Sequence, residues 1–391
     1  MAKVQTMTKR VVVSVISDLV TDQRVHKVCQ TLHEQGFKIL LIGSRRRDSL
    51  ALAGRSYPTR RIGLLFQRKF PFYAEFNIRL FLRLLFARAD IYLGNDLDVM
   101  PATWLAARLK KKPVVYDTHE YYMAMAGLDN KPFIRKIWKW IESFIFPRVQ
   151  HIYTICDSFC ELYKKDYGKN LIAVRNLPYL HFPETSLYQS LLQEIEQQIP
   201  KDKKILIFQG AGINPHRGAE ELVMAMKYLD PEQYHLLIVG GGDIFPLVRR
   251  LILEEHLSDR ISIIPKLPFE VLRSVTRKAQ LGLSLDKAGN INHRYGLPNK
   301  IFDYLHAGLP VLVSRLVELE KVVNHYNVGS FIDSHEPKHI ADCIEKIFED
   351  PIRLNLWKKN TERVRQELNW ENESKIIIDI FKQVERDSVT Y

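Results

Sequence analysis

Residues 295–314 read YGLPNKIFDYLHAGLPVLVS, and they show the alternation that decides the fold. The pair Pro298-Asn299 is a good helix start, so the pattern predicts a helix over Lys300–His306. The β-branched run Val311–Ser314 then predicts a strand. A helix that leads into a short apolar strand is typical of an α/β protein.

The same alternation extends outward through most of the chain. In the first half, strands are predicted at 11–16, 37–42, 91–93, 114–116 and 151–155, with helices near 22–35 and 101–110. A second series of alternating strands and helices follows in the second half, with strands at 205–208, 235–239, 261–264 and 281–285 and helices near 219–226 and 245–255. Two series of βα units predict two doubly wound, Rossmann-like domains, each with a parallel sheet.

A length of 391 residues also suits two domains. The proline-containing connection around 178–204 separates them, so we place an N-terminal domain at 1–180, a linker at 181–203 and a C-terminal domain at 204–368. The tail 362–386 is helical by pattern, and 369–391 is predicted as a C-terminal helix whose crossing back to the first domain is left open. Two such domains that face each other across a cleft would bind ligands at the carboxyl ends of their strands.

The positive charge is concentrated in the first half. Residues 1–180 carry 30 basic and 15 acidic side chains, whereas the rest carries 27 and 30. This asymmetry indicates an anionic partner of the first half, and membrane lipid, nucleic acid and an acidic substrate all fit.

Cysteine content and hydropathy favour a cytoplasmic protein. Four scattered cysteines are too few for a disulfide framework, and Cys156 with Cys160 lacks a second zinc half-site. The N-terminal residues MAKVQTMTKR run directly into VVVSVI, so a secretory signal is not expected. No apolar run approaches 18 residues, so a membrane span is not expected either.

Two segments of the second half suit an anionic ligand. In residues 209–218, QGAGINPHRG, the glycines Gly210, Gly212 and Gly218 would let the backbone approach a diphosphate, with Arg217 at a positive helix end. The alternative is a flexible turn with a solvated arginine. The loop 240–243, GGGD, lacks the GxGxxG spacing, so a nicotinamide site is only weakly indicated.

The second segment is the helix start at Pro298 and Asn299. The first-turn amides and Lys300 would hold phosphate oxygens there. Asp303, one turn further, could take both hydroxyls of a ribose, or could simply complement the helix dipole.

These residues carry a family resemblance. The segment Pro-Asn-Lys-x-Phe-Asp-Tyr-x-x-Ala-Gly-x-Pro, preceded by the Gln-Gly…Arg-Gly loop, resembles the nucleotide-sugar half of retaining glycosyltransferases of family 4, which have the GT-B fold. Segments of the first half are similar to that family's polysaccharide-building members, namely Asp22-Gln-Arg24-Val25, Asn95-Asp96, Tyr116-Asp117-Thr-His119-Glu120 and Arg175-Asn176-Leu-Pro178.

The resemblance implies that the C-terminal domain binds a nucleoside diphosphate sugar and the N-terminal domain the acceptor. By this resemblance, Arg217 and Lys300 would stabilise the negative charge on the departing diphosphate, and the helix start at Asn299 would add its dipole. Asp303 would bind the ribose. His119 would lie against the transferred sugar from the opposite wall, or would merely cap the next helix. Candidates on the acceptor side are Asp22, Arg24, Asn95, Asp96 and Glu120.

One position departs from the family pattern. Many members carry two glutamates eight positions apart, the earlier of which contacts the donor sugar; here the pair is Tyr295 and Asp303. Asp286, Asn292 or His293 could supply the sugar contact instead, and these alternatives stay open. The motif Asp96-Leu-Asp98 resembles a metal-binding motif of a different glycosyltransferase fold, and the GT-B resemblance implies no metal.

The basic, aromatic stretch 68–88 carries five basic residues and one acidic residue. Glu75, Arg79 and Arg83 form a polar stripe, and nearly everything else is apolar. A core helix and an interfacial helix on anionic lipid both fit.

The leading hypothesis is a cytoplasmic glycosyltransferase, peripheral on the inner face of the cell membrane. It would be retaining, metal-independent and of hexosyltransferase type, and would transfer a sugar to a lipid-linked or polysaccharide acceptor. No cofactor is expected; a UDP-sugar is the first choice of donor and a GDP-sugar the second. The rivals are a GT-B epimerase, an inactive nucleotide-binding homologue and a phosphorylase, although no lysine segment for pyridoxal stands out. Nucleic-acid binding is disfavoured because no recognition motif is present.

Overall fold

The structure is a computed structural model that describes residues 8–20, 22–47, 49, 51–52, 54–124, 131–181 and 188–388. Residues 182–187 of the predicted linker lie outside the described residues. The chain divides into two compact units. One comprises the residues up to Asn176 together with those from Glu373 onward, and the other comprises Leu177–Asn372.

In the described part of the first unit, seven strands form a parallel sheet in the order β3-β2-β1-β4-β5-β6-β7. The strands are β1 (Arg10–Asp18), β2 (Lys38–Arg45), β3 (Thr59–Gly63), β4 (Ile91–Asn95), β5 (Val114–Thr118), β6 (His151–Thr154) and β7 (Ile172–Ala173). The helices are α1 (Gln23–Glu34), α2 (Lys69–Phe86), α3 (Met100–Leu109), α4 (Pro132–Ile145) and α5 (Asp157–Tyr167).

Six parallel strands make up the sheet described in the second unit, in the order β10-β9-β8-β11-β12-β13. Its strands are β8 (Lys204–Gly210), β9 (Tyr234–Gly240), β10 (Ile261–Ile264), β11 (Leu281–Ser284), β12 (Val311–Ser314) and β13 (Gly329–Ile332). Its helices are α6 (Gln189–Glu196), α7 (Ala219–Ala225), α8 (Phe245–Glu254), α9 (Phe269–Thr276), α10 (Ile291–Tyr295), α11 (Lys300–His306), α12 (Val317–Tyr326), α13 (Pro337–Glu349) and α14 (Pro351–Glu367). Helix α15 (Trp370–Asp387) follows and lies mostly in the first unit.

Both sheets are buried on their two faces, which explains their sequence pattern. Every residue of β4 and of β12 is buried, because helices cover both sides of a parallel sheet. Such strands are continuous apolar runs rather than alternating ones. The strand orders are those of doubly wound sheets, so the predicted fold class is confirmed.

The tail 362–386, predicted as helical, consists of the end of α14 and most of α15, with a break at residues 368–369. The helix stops at Glu367, and Asn369 begins the next one, because its side-chain oxygen accepts a hydrogen bond from the amide of Asn372 at 2.9 Å. A side-chain cap of this kind competes with the helical hydrogen-bond ladder and starts a new helix.

Candidate functional site

The two glycine loops of the second unit are joined through their backbones. Gly210 and Gly240 lie opposite each other at the carboxyl ends of β8 and β9. Gly240 has φ +141°, and a Cβ there would lie 1.9 Å from the Gly210 carbonyl oxygen, so only glycine fits. The amide of Ile213 donates to the Gly241 carbonyl at 2.8 Å. The loop after β8 is thus held in place by the loop after β9.

Of the other glycines predicted for the site, Gly218 has a packing reason of its own. It precedes α7 with φ +81°, and a Cβ there would lie 2.4 Å from the carbonyl oxygen of Leu285. Gly212 is different, because an added Cβ would meet only the side chain of Asn214 at 3.8 Å. Gly218 therefore brings the loop that carries Arg217 against the end of β11.

Arg217 and Lys300, predicted from separate segments, converge on one carboxylate. Arg217 Nη1 donates to Asp286 Oδ1 at 2.9 Å, and Lys300 Nζ lies 3.1 Å from Asp286 Oδ2. Ser284 also donates to Oδ2. Asp286 is buried, whereas about a third of the Arg217 side chain remains exposed. The arrangement leaves two cations side by side at the carboxyl end of the sheet, one of them open to solvent.

The local charges set the ionisation of this group. Burial opposes the charge on Asp286, but Lys300 and Arg217 outweigh it and lower its pKa. Burial also lowers the pKa of Lys300, and the attraction of Asp286 only partly offsets this effect. Asp286 therefore stays ionised and holds both cations, which is the pre-organisation that a polyanionic ligand needs.

Lys300 owes its position to the start of α11. Pro298 and Asn299 precede this helix as predicted, although the Asn299 side chain makes no capping bond. The Lys300 ammonium also lies 4.5 Å from the centroid of the Phe208 ring, which is buried in β8. Packing and charge together fix this side chain.

Asp303 lies in the first turn of α11, next to a pocket of the same unit. Gln209 Nε2 donates to Asp303 Oδ2 at 3.2 Å, and Thr276 donates to Gln209 Oε1 at 2.8 Å. This chain of bonds orients the carboxylate. The pocket is lined by Pro178, Gln209, Phe269, Leu272, Arg273, Thr276, Asp303 and His306.

In the first unit, a charge network joins Arg24, Asp117, His119 and Asp96. Arg24 binds Asp117 with two hydrogen bonds, at 2.7 and 3.0 Å, and both side chains are buried. His119 lies between two carboxylates, with Nδ1 3.1 Å from Asp96 and Nε2 3.1 Å from Asp117. The His119 amide also donates to Asp96 at 2.7 Å. His119 is thus an anchored side chain rather than a simple helix cap.

Three other residues predicted for the acceptor side have structural roles around this network. Asp22 caps α1 by accepting from the Val25 amide at 3.0 Å. Asn95 is buried and donates to the Ser14 carbonyl at 3.0 Å. Glu120 has an exposed side chain, and its carbonyl accepts from Thr118.

The network sets opposite pKa shifts on its members. Burial favours neutral Asp117, but Arg24 and His119 outweigh it and lower its pKa to about 2. Burial also opposes the charge on His119, yet Asp96 and Asp117 raise its pKa well above the usual value. His119 is therefore an imidazolium at neutral pH.

These shifts predict how stability depends on pH. Asp117 stabilises the fold above its unfolded pKa of 3.8, and this contribution is lost as the pH falls through about 2. His119 stabilises it below 6.5, and this contribution is lost as the pH rises through the raised pKa of the folded state. Denaturation from pH 2 to 9 should therefore show the network's stabilisation greatest between about pH 4 and 6.5. The His119→Gln variant should lose the alkaline decline; an unchanged alkaline slope in that variant would contradict the assignment.

Within the described ranges, no group of three or more His, Cys, Asp or Glu side chains is arranged to hold a metal ion. Asp98 of the Asp96-Leu-Asp98 motif is buried. Its burial, and to a smaller extent the negative charge of Asp96, raise the pKa of Asp98 well above the usual value.

None of the helices in the described ranges has the length and apolar character needed to cross a bilayer.

Sequence reasoning missed the central carboxylates, Asp117 and Asp286, as organisers. Both stand at the carboxyl ends of buried strands, Asp117 within β5 and Asp286 two residues after β11. An acidic residue that directly follows an apolar strand was the available signal. The sequence indicates Asp286 only as a sugar contact, whereas in the structure both of its oxygens are engaged by Arg217 and Lys300.

The chain matches known proteins in both halves. Residues 22–176 match the family model described as glycosyltransferase family 4, and residues 192–364 match the one described as glycosyl transferases group 1. Over 179 residues it is 25% identical to D-inositol 3-phosphate glycosyltransferase of Corynebacterium efficiens, covering 44% of this chain and 41% of that one. The matched part spans less than half the length of the curated relatives.

Solved structures resemble nearly the whole chain in fold. Sucrose-phosphate synthase of Thermosynechococcus elongatus has a TM-score of 0.75 at 17% identity, covering 97% of this chain and all of that one. The Anabaena protein HepE, solved with UDP-glucose, has a TM-score of 0.71 at 13% identity, covering 96% of this chain and all of that one. With a glycosyltransferase family matched in each half and the doubly wound sheets in place, the chain belongs to the family 4 type of glycosyltransferases with the GT-B fold.

Proposed function

We propose that this chain is a retaining hexosyltransferase that moves a sugar from a nucleoside diphosphate sugar to a lipid-linked or polysaccharide acceptor in cell-surface glycan synthesis. The observation that carries the proposal is the convergence of Arg217 and Lys300 on Asp286 at the carboxyl end of the second sheet. Two fixed cations at one point suit the two charges of a diphosphate.

The proposed chemistry is electrostatic. When the bond between the sugar and the diphosphate breaks, negative charge grows on the leaving oxygen. Arg217 and Lys300 would stabilise that charge without reorganisation, because Asp286 already holds them in place. The reaction would then need no metal ion, and the protein cations would neutralise the leaving group.

The other proposed contacts are made to the ribose, to the transferred sugar and to the acceptor. Asp303, oriented by Gln209, would accept hydrogen bonds from ribose hydroxyls. His119 would contact the transferred sugar as an imidazolium held by Asp96 and Asp117. Acceptor contacts are proposed around Asp22, Arg24, Asn95, Asp96 and Glu120.

A UDP-sugar is the proposed donor and a GDP-sugar the second choice. The likeness to HepE, which was solved with UDP-glucose, supports this choice. The basic first half supports a place on the cytoplasmic face of an anionic membrane, where lipid-linked acceptors are found.

A thermal-shift comparison of UDP, GDP, ADP and CMP tests the donor site. A ligand at 100 times its Kd stabilises a protein by about 2.7 kcal/mol, so we expect UDP to raise the melting temperature most. His119→Ala should keep this shift, since its partner is the sugar, whereas Asp303→Asn should reduce it. No shift with any of the four nucleotides would overturn the proposed donor site.

The products of turnover then distinguish a retaining glycosyltransferase from an epimerase and from an inactive homologue. Proton NMR of the product with an added acceptor should show the donor's anomeric configuration retained, and a metal chelator should leave the rate unchanged. An epimerase would change the donor without any acceptor. An inactive homologue would bind nucleotide without releasing product.

A further inference from the structure

Helix α2 is apolar on two opposite faces. Phe72, Phe76, Leu80 and Leu84 recur every four residues and are fully packed in the core. Two positions after the last three of these, Ile78, Leu82 and Phe86 also recur every four residues, but they are 63%, 50% and 86% exposed, and Phe70 at the start of the helix is 63% exposed. A two-residue offset turns a helix by about 200°, so the second stripe points away from the core. Core packing does not account for it.

Helix α4 repeats this arrangement. Phe133, Trp140 and Phe144 lie seven and four residues apart, which places them along one line of the helix, and they are 74%, 69% and 41% exposed. Trp138 and Ile145 occupy the buried side. The rings of Trp140 and Phe144 stack at 6.1 Å without covering each other from solvent.

The helices α2, α3 and α4 form one layer on the same face of the first sheet. The connections from β3 to β4, β4 to β5 and β5 to β6 all run in one direction along the sheet, so right-handed crossovers place these helices together. Direct contacts agree with this: Tyr73 of α2 meets Trp138 of α4 at 5.8 Å, and Trp104 of α3 meets Phe144 of α4 at 5.5 Å.

Exposed apolar side chains are concentrated on this layer. Of the 17 large apolar or aromatic side chains that are exposed in the described residues, 11 belong to α2, α3, α4 or the segment just before α2. They are Leu65, Phe66, Phe70, Ile78, Leu82, Phe86, Leu105, Leu109, Phe133, Trp140 and Phe144. Such a patch on a soluble unit marks an interaction surface.

The charges around the patch identify the partner. Exposed cations flank both stripes, at Arg68, Lys69, Arg79, Arg83, Arg88, Arg108, Lys111, Lys112, Arg135, Lys136 and Arg148. The acids are engaged: Glu75 accepts from the Leu65 and Phe66 amides and pairs with Arg79, while Glu142 is buried. A protein partner or a second copy would leave many of these cations without anions. A surface of phosphate headgroups over hydrocarbon satisfies both the cations and the apolar stripes.

We propose that the outer faces of α2 and α4 together form the site by which this chain docks on an anionic lipid bilayer, with Phe86 and Trp140 entering the interface. This inference deepens the proposed function and rests on it only for the membrane-linked acceptor. Ile78, Leu82 and Phe86 lie within about 80° of one another around α2 and span about 12 Å along its axis, so the three side chains can enter one headgroup plane together.

Sedimentation with vesicles tests the surface. The wild-type chain should bind vesicles of phosphatidylcholine mixed with phosphatidylglycerol and should not bind phosphatidylcholine alone. Phe86→Ser with Trp140→Ser should weaken binding by more than about tenfold. Arg83→Gln with Lys136→Gln should weaken it about fivefold per charge at low salt, and less at high salt.

Matched controls separate the patch from general effects. Leu253→Ser with Ile352→Ser removes two equally exposed apolar side chains from the second unit and should leave binding unchanged. All variants should keep the wild-type melting temperature, since only exposed side chains change. Trp140 fluorescence should shift to shorter wavelength on the vesicles, and Trp140→Phe should abolish most of that shift while binding persists.

Three results would overturn the proposal. They are wild-type binding by the Phe86→Ser and Trp140→Ser variant, loss of dimerisation rather than of vesicle binding in that variant, and preference for a nucleic-acid duplex over vesicles. The UDP-induced thermal shift, measured on the same samples, is independent of the patch. Failure of that shift with intact vesicle binding would count against the proposed function and leave the docking surface standing.

Discussion

Replacing Lys300 or Arg217 by alanine should lower kcat by about 10²- to 10³-fold, which corresponds to about 2.7–4 kcal/mol of transition-state stabilisation. Asp286 holds both cations where the diphosphate is proposed to bind. Each cation would therefore stabilise the negative charge that grows on the diphosphate as its bond to the sugar breaks. An interaction that strengthens in the transition state affects kcat more than donor binding. The measurement is kcat, KM and nucleotide Kd for each variant.

A matched control comes from the same loop. Lys287 follows Asp286 directly but pairs with Glu221 instead, so Lys287→Ala should keep kcat within about twofold of the wild type. Asp303→Asn should mainly raise KM, because the proposed ribose contact would be equally strong in the ground and transition states. Near-wild-type kcat in both Arg217→Ala and Lys300→Ala would defeat the assignment of these cations to the leaving group.

The second large effect is on stability. Asp117→Ala would leave the guanidinium of Arg24 buried without its carboxylate, and breaking a buried pair in this way costs about 3–5 kcal/mol. His119 would lose one of its two partners as well. Native-state hydrogen exchange of the β4 and β5 amides measures the free energy of opening for this part of the sheet.

An exposed ion pair supplies the comparison. Arg250 and Glu254 pair on α8 with both side chains more than half exposed, and Glu254→Ala should cost no more than about 1 kcal/mol. The double change Arg24→Met with Asp117→Leu should recover part of the loss, because two apolar side chains can replace a buried pair at little cost. A loss below 1 kcal/mol in Asp117→Ala would show that Arg24 finds another partner.

Local sequence was sufficient for most of the strands and for the helices that carry the candidate site. Ile261–Ile264, Lys300–His306 and Val311–Ser314 were predicted with the bounds that the structure has. Apolar runs and helix starts are read from neighbouring residues, which is why they are visible in one dimension. The strands β3, β7 and β13 went unpredicted, because Thr59–Gly63 is mostly polar, Gly329–Ile332 begins with glycine and serine, and Ile172–Ala173 has only two residues.

Helix α2 shows what the periodicity of the sequence leaves undecided. From sequence, the stretch 68–88 suited both a core helix and an interfacial one. The structure shows two apolar faces on one helix, with Phe76 in the core and Phe86 in solvent. A sequence records that a face is apolar, but which face is covered depends on the sheet and helices that pack beside it.

The charge clusters depended on the tertiary structure in the same way. The sequence by itself determined the two doubly wound sheets, the glycine loops, and the presence of Arg217, Lys300, Asp303 and His119 after strands or at helix starts. Only the tertiary structure decided their partners: Asp286 is 69 residues from Arg217, and Asp117 is 93 residues from Arg24. Parallel strands bring such distant residues to one edge of a sheet, and at that edge Coulomb attraction across about 3 Å, rather than sequence spacing, selects which groups pair.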